Sequence, residues 1–433
     1  MPNSVQRTPH SVQQLQHDLQ RLNVSVGTRT LTSIENIPQE LIDSIIDHLE
    51  RDKAALQACS LVCRAWHSRS QQHLFSSLVV GPPQDNIDPI QPFIESLQNN
   101  PHLAALVKEL LLKGQWSAQL RVCPETIATI MNNLPNLKTL RLHGVDTAER
   151  DRPFIPPRRF QLDCLAIVWG ITYEECTVIE CIVDVLSLFD RVHQLAVIDT
   201  YERDPSGLST SEVLARAKPL GHLRVDSLIV KDLPQAHRCW LHLIKRMDLR
   251  SFESLKISGV TVWPYDELKP LLQDVGAWMR HLDISLGNVS STHADSLGDE
   301  LGLSYCTHLE EFTIRVFAPL HNRNRPTWQQ LCDLLDSLRA YPSLRRLTIG
   351  YDMHGPIHDS STDWDALRSV LQKFNNLESV VFAHSPHPPE WLVSSQETIR
   401  ARLASLGAQV RVHVLEEFPP SEYDHPQILR NKY

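Results

Sequence analysis

The chain has 433 residues, of which 42% are hydrophobic and 21% charged, and its formal net charge is −9. That is apolar material for two or three domains or one long repeat domain, while the negative balance argues against nucleic acid or an anionic membrane as principal partner, since both require a basic face. No apolar run approaches the length that spans a bilayer, and Met1–Thr32 is polar and Gln-rich rather than a charged-then-apolar leader.

The nine cysteines are odd in number and show no CxxC pair. Most stand in apolar stretches, as Cys164 does, so free buried thiols in the cytoplasm or nucleus are expected rather than a disulfide framework.

In chain order, residues 1–32 read as a flexible arm, with Val12, Leu15, Leu19 and Leu22 at near-helical spacing. Residues 33–78 read as a small helical module. Leu41, Ile42, Ile45, Ile46 and Leu49 fall on one side of a helix. Asn36 and Gln39 have the spacing of a capping box, and Pro38 belongs in a first turn, where its missing N–H costs nothing. A second apolar set runs through Leu56, Cys59, Leu61, Val62, Cys63, Trp66, Leu74 and Phe75. Three short helices make too small a core to satisfy themselves, which marks a docking surface.

Ile37-Pro38-Gln39-Glu40-Leu41, Ile45-Ile46, Leu49 and Val62-Cys63-Arg64-Ala65-Trp66 follow one another in an order that resembles the F-box family. That family's pattern runs from Leu-Pro-x-Glu-Leu through paired aliphatics to Val-Cys-Arg-x-Trp. Ile37 and the inserted Lys53-Ala54-Ala55 depart from the commonest form. The resemblance implies binding to a Skp-type adaptor and, through it, to a cullin-RING ubiquitin ligase, with Pro38, Leu41, Ile42, Ile45, Leu49, Cys63 and Trp66 as the adaptor-binding candidates. The other reading is a helical hairpin that caps the domain behind it.

Residues 79–92 include GPPQDNIDPIQP and read as a linker. From 93 to about 415 the frame Φ-x-x-Φ-x-Φ recurs ten times, from Val107-Leu110-Leu112 to Leu377-Val380-Phe382. The central residues stand 25 to 35 positions apart, with a mean of 30. The last two positions of a frame differ by two, so both face one side of a strand. Between frames lie helical periodicities: Val178 to Phe189, Trp328 to Tyr341 after Thr327, and Trp364 to Phe374 after Asp363. Val410, Val412 and Val414 offer one further strand.

Strand and helix every thirty residues predict an α/β solenoid with parallel strands inside and helices outside, a pattern that resembles the leucine-rich repeat family. The usual Asn or Cys after each strand is missing, with Val145 at one such position, so irregular coils are expected. A doubly wound sheet is the rival architecture, and ten strands are many for it. Residues 416–433 read as a tail.

In such a solenoid the strand residues between core positions line the concave side. These include Glu109, Leu111, Thr139, Arg141, His143, Lys256, His281, Asp283, Arg315 and Arg346. Arg141, His143, His281, Asp283, Arg315 and Arg346 are the candidates for contact with a protein target, because arginine is enriched at interface hot spots. The loop Phe317 to Pro326, with Arg323 and Arg325, is a second candidate.

There is no Gly-rich phosphate loop, GxSxG or HExxH. His384 and His387 flank a Pro-containing turn without further ligands, so no metal, cofactor or catalytic residue is expected. The sequence thus points to a non-catalytic subunit of an SCF ligase complex. It would join an adaptor and cullin to an unidentified protein target, with no part for nucleic acid or membrane. The alternative is a stand-alone repeat protein that sequesters a partner.

Overall fold

The computed structural model describes residues 37–81, 88–114, 120–146, 156, 158–168, 178–198, 220–231, 243–258, 265–286, 297–317, 328–338, 343–352, 363–384, 389–406 and 411–415. The arm 1–32, the tail 416–433, Asn36, Thr327, His387 and the loop beyond Phe317 lie outside these residues. The chain divides into two compact units, Met1–Phe75 and Ser76–Tyr433.

The first unit contains α1 (Gln39–Asp47), α2 (Lys53–Val62) and α3 (Arg64–Ser76). Pro38 is the N-cap of α1 and not part of its first turn. Gln39 donates not to a cap but to Ala65 O at 3.0 Å, which ties α1 to the start of α3. Asp52 caps α2 by accepting from Ala55 N at 2.9 Å, so the inserted Lys53-Ala54-Ala55 forms that helix's first turn. Cys63 is extended, which ends α2, and its carbonyl accepts from Trp66 N and His67 N to start α3. Ile42, Ile46 and Leu56 form the core, with Leu49, Ala65, Trp66 and Leu74 partly buried against it.

Among its described residues the second unit has one parallel sheet of twelve strands, backed by helices, and a separate two-stranded pair. It opens with β1 (Ser77–Val80), α4 (Ile90–Asn99), the short turn α5 (Pro101–Ala104), β2 (Glu109–Lys113), β3 (Leu120–Arg121), α6 (Pro124–Asn133), β4 (Thr139–His143) and β5 (Val145–Asp146). The middle contains β6 (Phe160–Val168), α7 (Val178–Leu186), β7 (Phe189–Ile198), β8 (Arg224–Lys231), β9 (Ser254–Ser258), α8 (Tyr265–Val275) and β10 (His281–Leu286). The last part contains α9 (Leu297–Leu301), β11 (Glu311–Phe317), α10 (Trp328–Ser337), β12 (Arg346–Asp352), α11 (Trp364–Leu371), β13 (Ser379–His384), α12 (Pro389–Leu403) and β14 (Arg411–Leu415).

Apart from β3 and β5, which pair with each other, sheet order equals chain order and never reverses. A doubly wound sheet would reverse at a switch point, so that alternative is set aside. With crossovers of one hand, a monotonic order puts every connecting helix on the same face. All ten frames coincide with strands, and their aliphatic pairs are in register: Leu110, Leu140 and Leu165 at one end, Leu282, Phe312, Leu347 and Val380 at the other. These side chains are fully buried against the helices. Each contributes roughly 1.5–3 kcal/mol of apolar burial, shared between adjacent repeats.

Two expectations need correction. Ser77 and Leu78, read with the helical module, and Val79 and Val80, read as linker, form the first strand of the sheet, which pairs with Glu109–Leu112. Phe189, read as the end of a helix, opens β7, because Leu188 O accepts from Phe160 N and starts the ladder there. The small β3–β5 pair places Val145 opposite Leu120, at the turn where an Asn was missing from the pattern.

Candidate functional site

The first unit splits its aliphatic residues into two sets. Ile42 and Ile46 face Leu56 inside, whereas Leu41 is 57% exposed and Ile45 45% exposed. At the end of α2, Leu61 is 85% exposed and Val62 56%. Ile37, Pro38 and Cys63 are exposed as well. Thus Pro38, Leu41, Ile45 and Cys63 are available to a partner, Ile42 is not, and Leu49 and Trp66 are half-buried against the unit's own core. Leu61 and Val62 extend the exposed set. Their place in an apolar helical run marked them as apolar, but not as outward.

Beside that apolar core, a polar clamp ties α1 to α3. Arg69 takes Asp47 in a two-pronged bond, Nε to Oδ1 at 2.6 Å and Nη2 to Oδ2 at 2.8 Å, and His73 Nε2 meets Oδ1 at 2.7 Å. These bonds, that of Arg69 foremost, hold the Asp47 carboxyl well below the usual carboxylate range. A charged clamp suits a unit with so few buried aliphatics, because it fixes one geometry without consuming the outer apolar face.

On the second unit, the strand positions between core residues lie on the open face. Asp283 and Arg315 come together there with Lys256, while His281 stands two residues from Asp283 on the same face of β10, in register with Ser254 and Glu311. Asp283 Oδ2 accepts from Arg315 Nη2 at 2.8 Å and lies 3.6 Å from Lys256 Nζ. Burial pushes the Asp283 carboxyl up, against the pull of the two cations. Arg346 meets Glu311 at 2.9 Å and remains more than half exposed. Arg141 and His143 stand apart on β4, half-buried. Between these two groups Cys164, Ala166, Ala196, Ile198 and Ile229 are buried and cluster together, so the open face across β6, β7 and β8 is closed. Lys113, on the same face of β2, was missed in the sequence, although it needed only one more alternating step from Leu111.

Asp226 gathers three partners near the strand starts: Ser251 Oγ at 2.5 Å, Arg191 Nη2 at 2.7 Å and His193 Nδ1 at 2.6 Å. Burial pushes this carboxyl up, but the three hydrogen bonds together hold it below its ordinary value. Ser251 and His193 each face the carboxylate and not one another, so the trio lacks the hydroxyl–imidazole bond of a nucleophilic triad. The Cys306 thiol is pushed up to about 12 by burial, which leaves it inert as a nucleophile. A cavity of about 580 Å³ lies along the charged strand starts, between Glu310, Arg345 and Glu378. No group of three or more candidate metal ligands occurs among the described residues, and none of their helices is long and apolar enough to cross a membrane.

No family model and no curated protein matches the chain. Among solved structures it is similar to a chain of the Rad7 and Elc1 complex from yeast, at 16% identity and a TM-score of 0.33, over 87% of this chain and 94% of that one. A second likeness is to the dinucleotide-forming acetyl-coenzyme A synthetase 1 of Ca. Korarchaeum cryptofilum, at 9% identity and a TM-score of 0.18, over 78% and 80%. At such scores neither likeness carries weight for fold or function.

Proposed function

We propose that the three-helix unit is an F-box-like module that docks onto a Skp-type adaptor, and that the solenoid holds a protein target on its open face. The chain then serves as the substrate-recognition subunit of a Skp-cullin-F-box ubiquitin ligase. Its contribution to catalysis is proximity, by raising the local concentration of target lysines, with no acid, base or nucleophile of its own. The cytoplasm or nucleus is where such a complex would work.

One observation carries this reading: Ile37, Leu41, Ile45, Leu61 and Val62 stay exposed on a unit whose buried core, among the described residues, is Ile42, Ile46 and Leu56. An aliphatic surface of this kind, next to the ordered F-box-like blocks, fits a partner's apolar groove. The test is affinity purification of the full-length chain from cells, in parallel with Leu41→Asp/Leu61→Asp. Adaptor and cullin should accompany the parent and fall by about tenfold or more in the variant. The melting temperature should not change, because neither side chain is in the core. Ile42→Ala, by contrast, should destabilise the unit by about 2–5 kcal/mol. Equal capture by both proteins would leave a stand-alone sequestering protein as the better account.

A further inference from the structure

The open-face arginines differ in what stands opposite them. Arg315 on β11 faces Asp283 on β10, and Arg346 on β12 faces Glu311 on β11. Arg141 on β4 has aliphatic register partners instead, Leu111 on β2 and Ala166 on β6, and Glu109, in register with Thr139 and so diagonal to it, forms no ion pair with it. Its Nε is buried without an acceptor, and no hydrogen bond or ion pair reaches the guanidinium among the described residues. Lys113, half-buried at the end of β2, is in register with His143 and so sits diagonally from Arg141, at roughly 7 Å on a sheet. It too has no acidic partner among the described residues.

A guanidinium half-sunk among aliphatic carbon has lost part of its hydration, and that loss is recovered only when an anion meets it. For Arg315 and Arg346 the neighbouring strand supplies that anion. We propose that Arg141 and Lys113 form a site for an anionic group on the protein bound by the open face, either an acidic side chain or a phosphorylated one. The arginine fork takes a carboxylate or a phosphate through two parallel bonds, and the lysine adds a point charge beside it. Leu111 and Ala166 lower the local dielectric and strengthen both contacts. This inference rests on the target-binding reading above and adds the charge of the segment that is read.

The test uses the full-length protein and three short fluorescent peptides that differ at one residue, Glu, phosphoserine or Gln, read by anisotropy. At least one anionic peptide should bind about tenfold more tightly than the Gln peptide, and Arg141→Met should abolish that preference. Lys113→Met should reduce it several-fold, and Arg400→Met, on helix α12 and not on a strand of the open face, should change it by less than about twofold. Whichever anionic peptide depends more on Arg141 identifies the group as carboxylate or phosphate. Arg141→Met should melt no lower than the parent, because it loses no internal partner; a purely structural arginine would lower the melting temperature. Indistinguishable signals from the three peptides, absence of binding included, would overturn the proposal, as would a preference that survives Arg141→Met. Either result leaves adaptor capture by the helical unit standing, so the two readings fail separately.

Discussion

Leu41 and Ile42 are adjacent in sequence and opposite in fate. Helical spacing places Leu41, Ile42, Ile45, Ile46 and Leu49 in one stripe, but the stripe is wide enough to touch two surfaces. Which half turns inward depends on where α2 and α3 sit, and that is tertiary information. The Asp47 clamp was equally invisible, because its partners Arg69 and His73 lie more than twenty residues away. It has a testable pH signature. A carboxyl held low in the folded state adds stability above the unfolded value of about 3.9 and loses it as pH falls further. Asp47→Asn should therefore cost about 1 kcal/mol at neutral pH, screened as a half-exposed pair is, and should flatten the acid side of the stability curve. Chemical denaturation of the full-length protein between neutral pH and pH 3, followed by helix signal, checks this.

At the scale of the element, the ten frames were legible because burial against a helix demands the same two aliphatics in every repeat. The cap of α11 was legible too: Asp363 accepts from Ala366 N at 2.9 Å. β1 was not, since Leu78 and Val80 directly follow a helical run and have no preceding frame. The Asn ladder is missing after the strands, but polar bonds before them were hidden from the pattern. Asn136 Nδ2 donates to Ala105 O at 2.7 Å, and Ser343 Oγ to Leu309 O at 3.0 Å, each from the position just before a frame. Backbone bonds at the charged strand starts add to this. The carbonyls of Lys108, Glu253, Arg280, Glu310 and Arg345 each accept two N–H groups from the next repeat. One turn has no slack. Gly114 passes so close to Gly144 O that any Cβ would overlap it, while Gly144 itself has a φ of 58°. Gly114→Ala should cost about 1–3 kcal/mol and broaden the melt of the first repeats, measurable by calorimetry beside the parent.

For the whole molecule, the period of thirty residues was sufficient to predict a sheet that winds in one direction, and the strand order agrees. The interruption of the open face was not predictable. Nothing in the alternation of β6, β7 and β8 says that Cys164, Ala166 and Ala196 would be buried while Lys256 and Thr313 stay half-exposed. The proposed function therefore assigns separate roles to two surfaces: an aliphatic one on the helical unit and a polar one on the sheet.

Hydrogen exchange of the full-length chain, with and without a purified Skp-type adaptor, tests that division most directly. The account predicts slower exchange in α1 and α2, around Leu41, Ile45, Leu61 and Val62, and no change in β2 to β13. Protection that appears in the strands, or helices that exchange equally fast with the adaptor present, would contradict it.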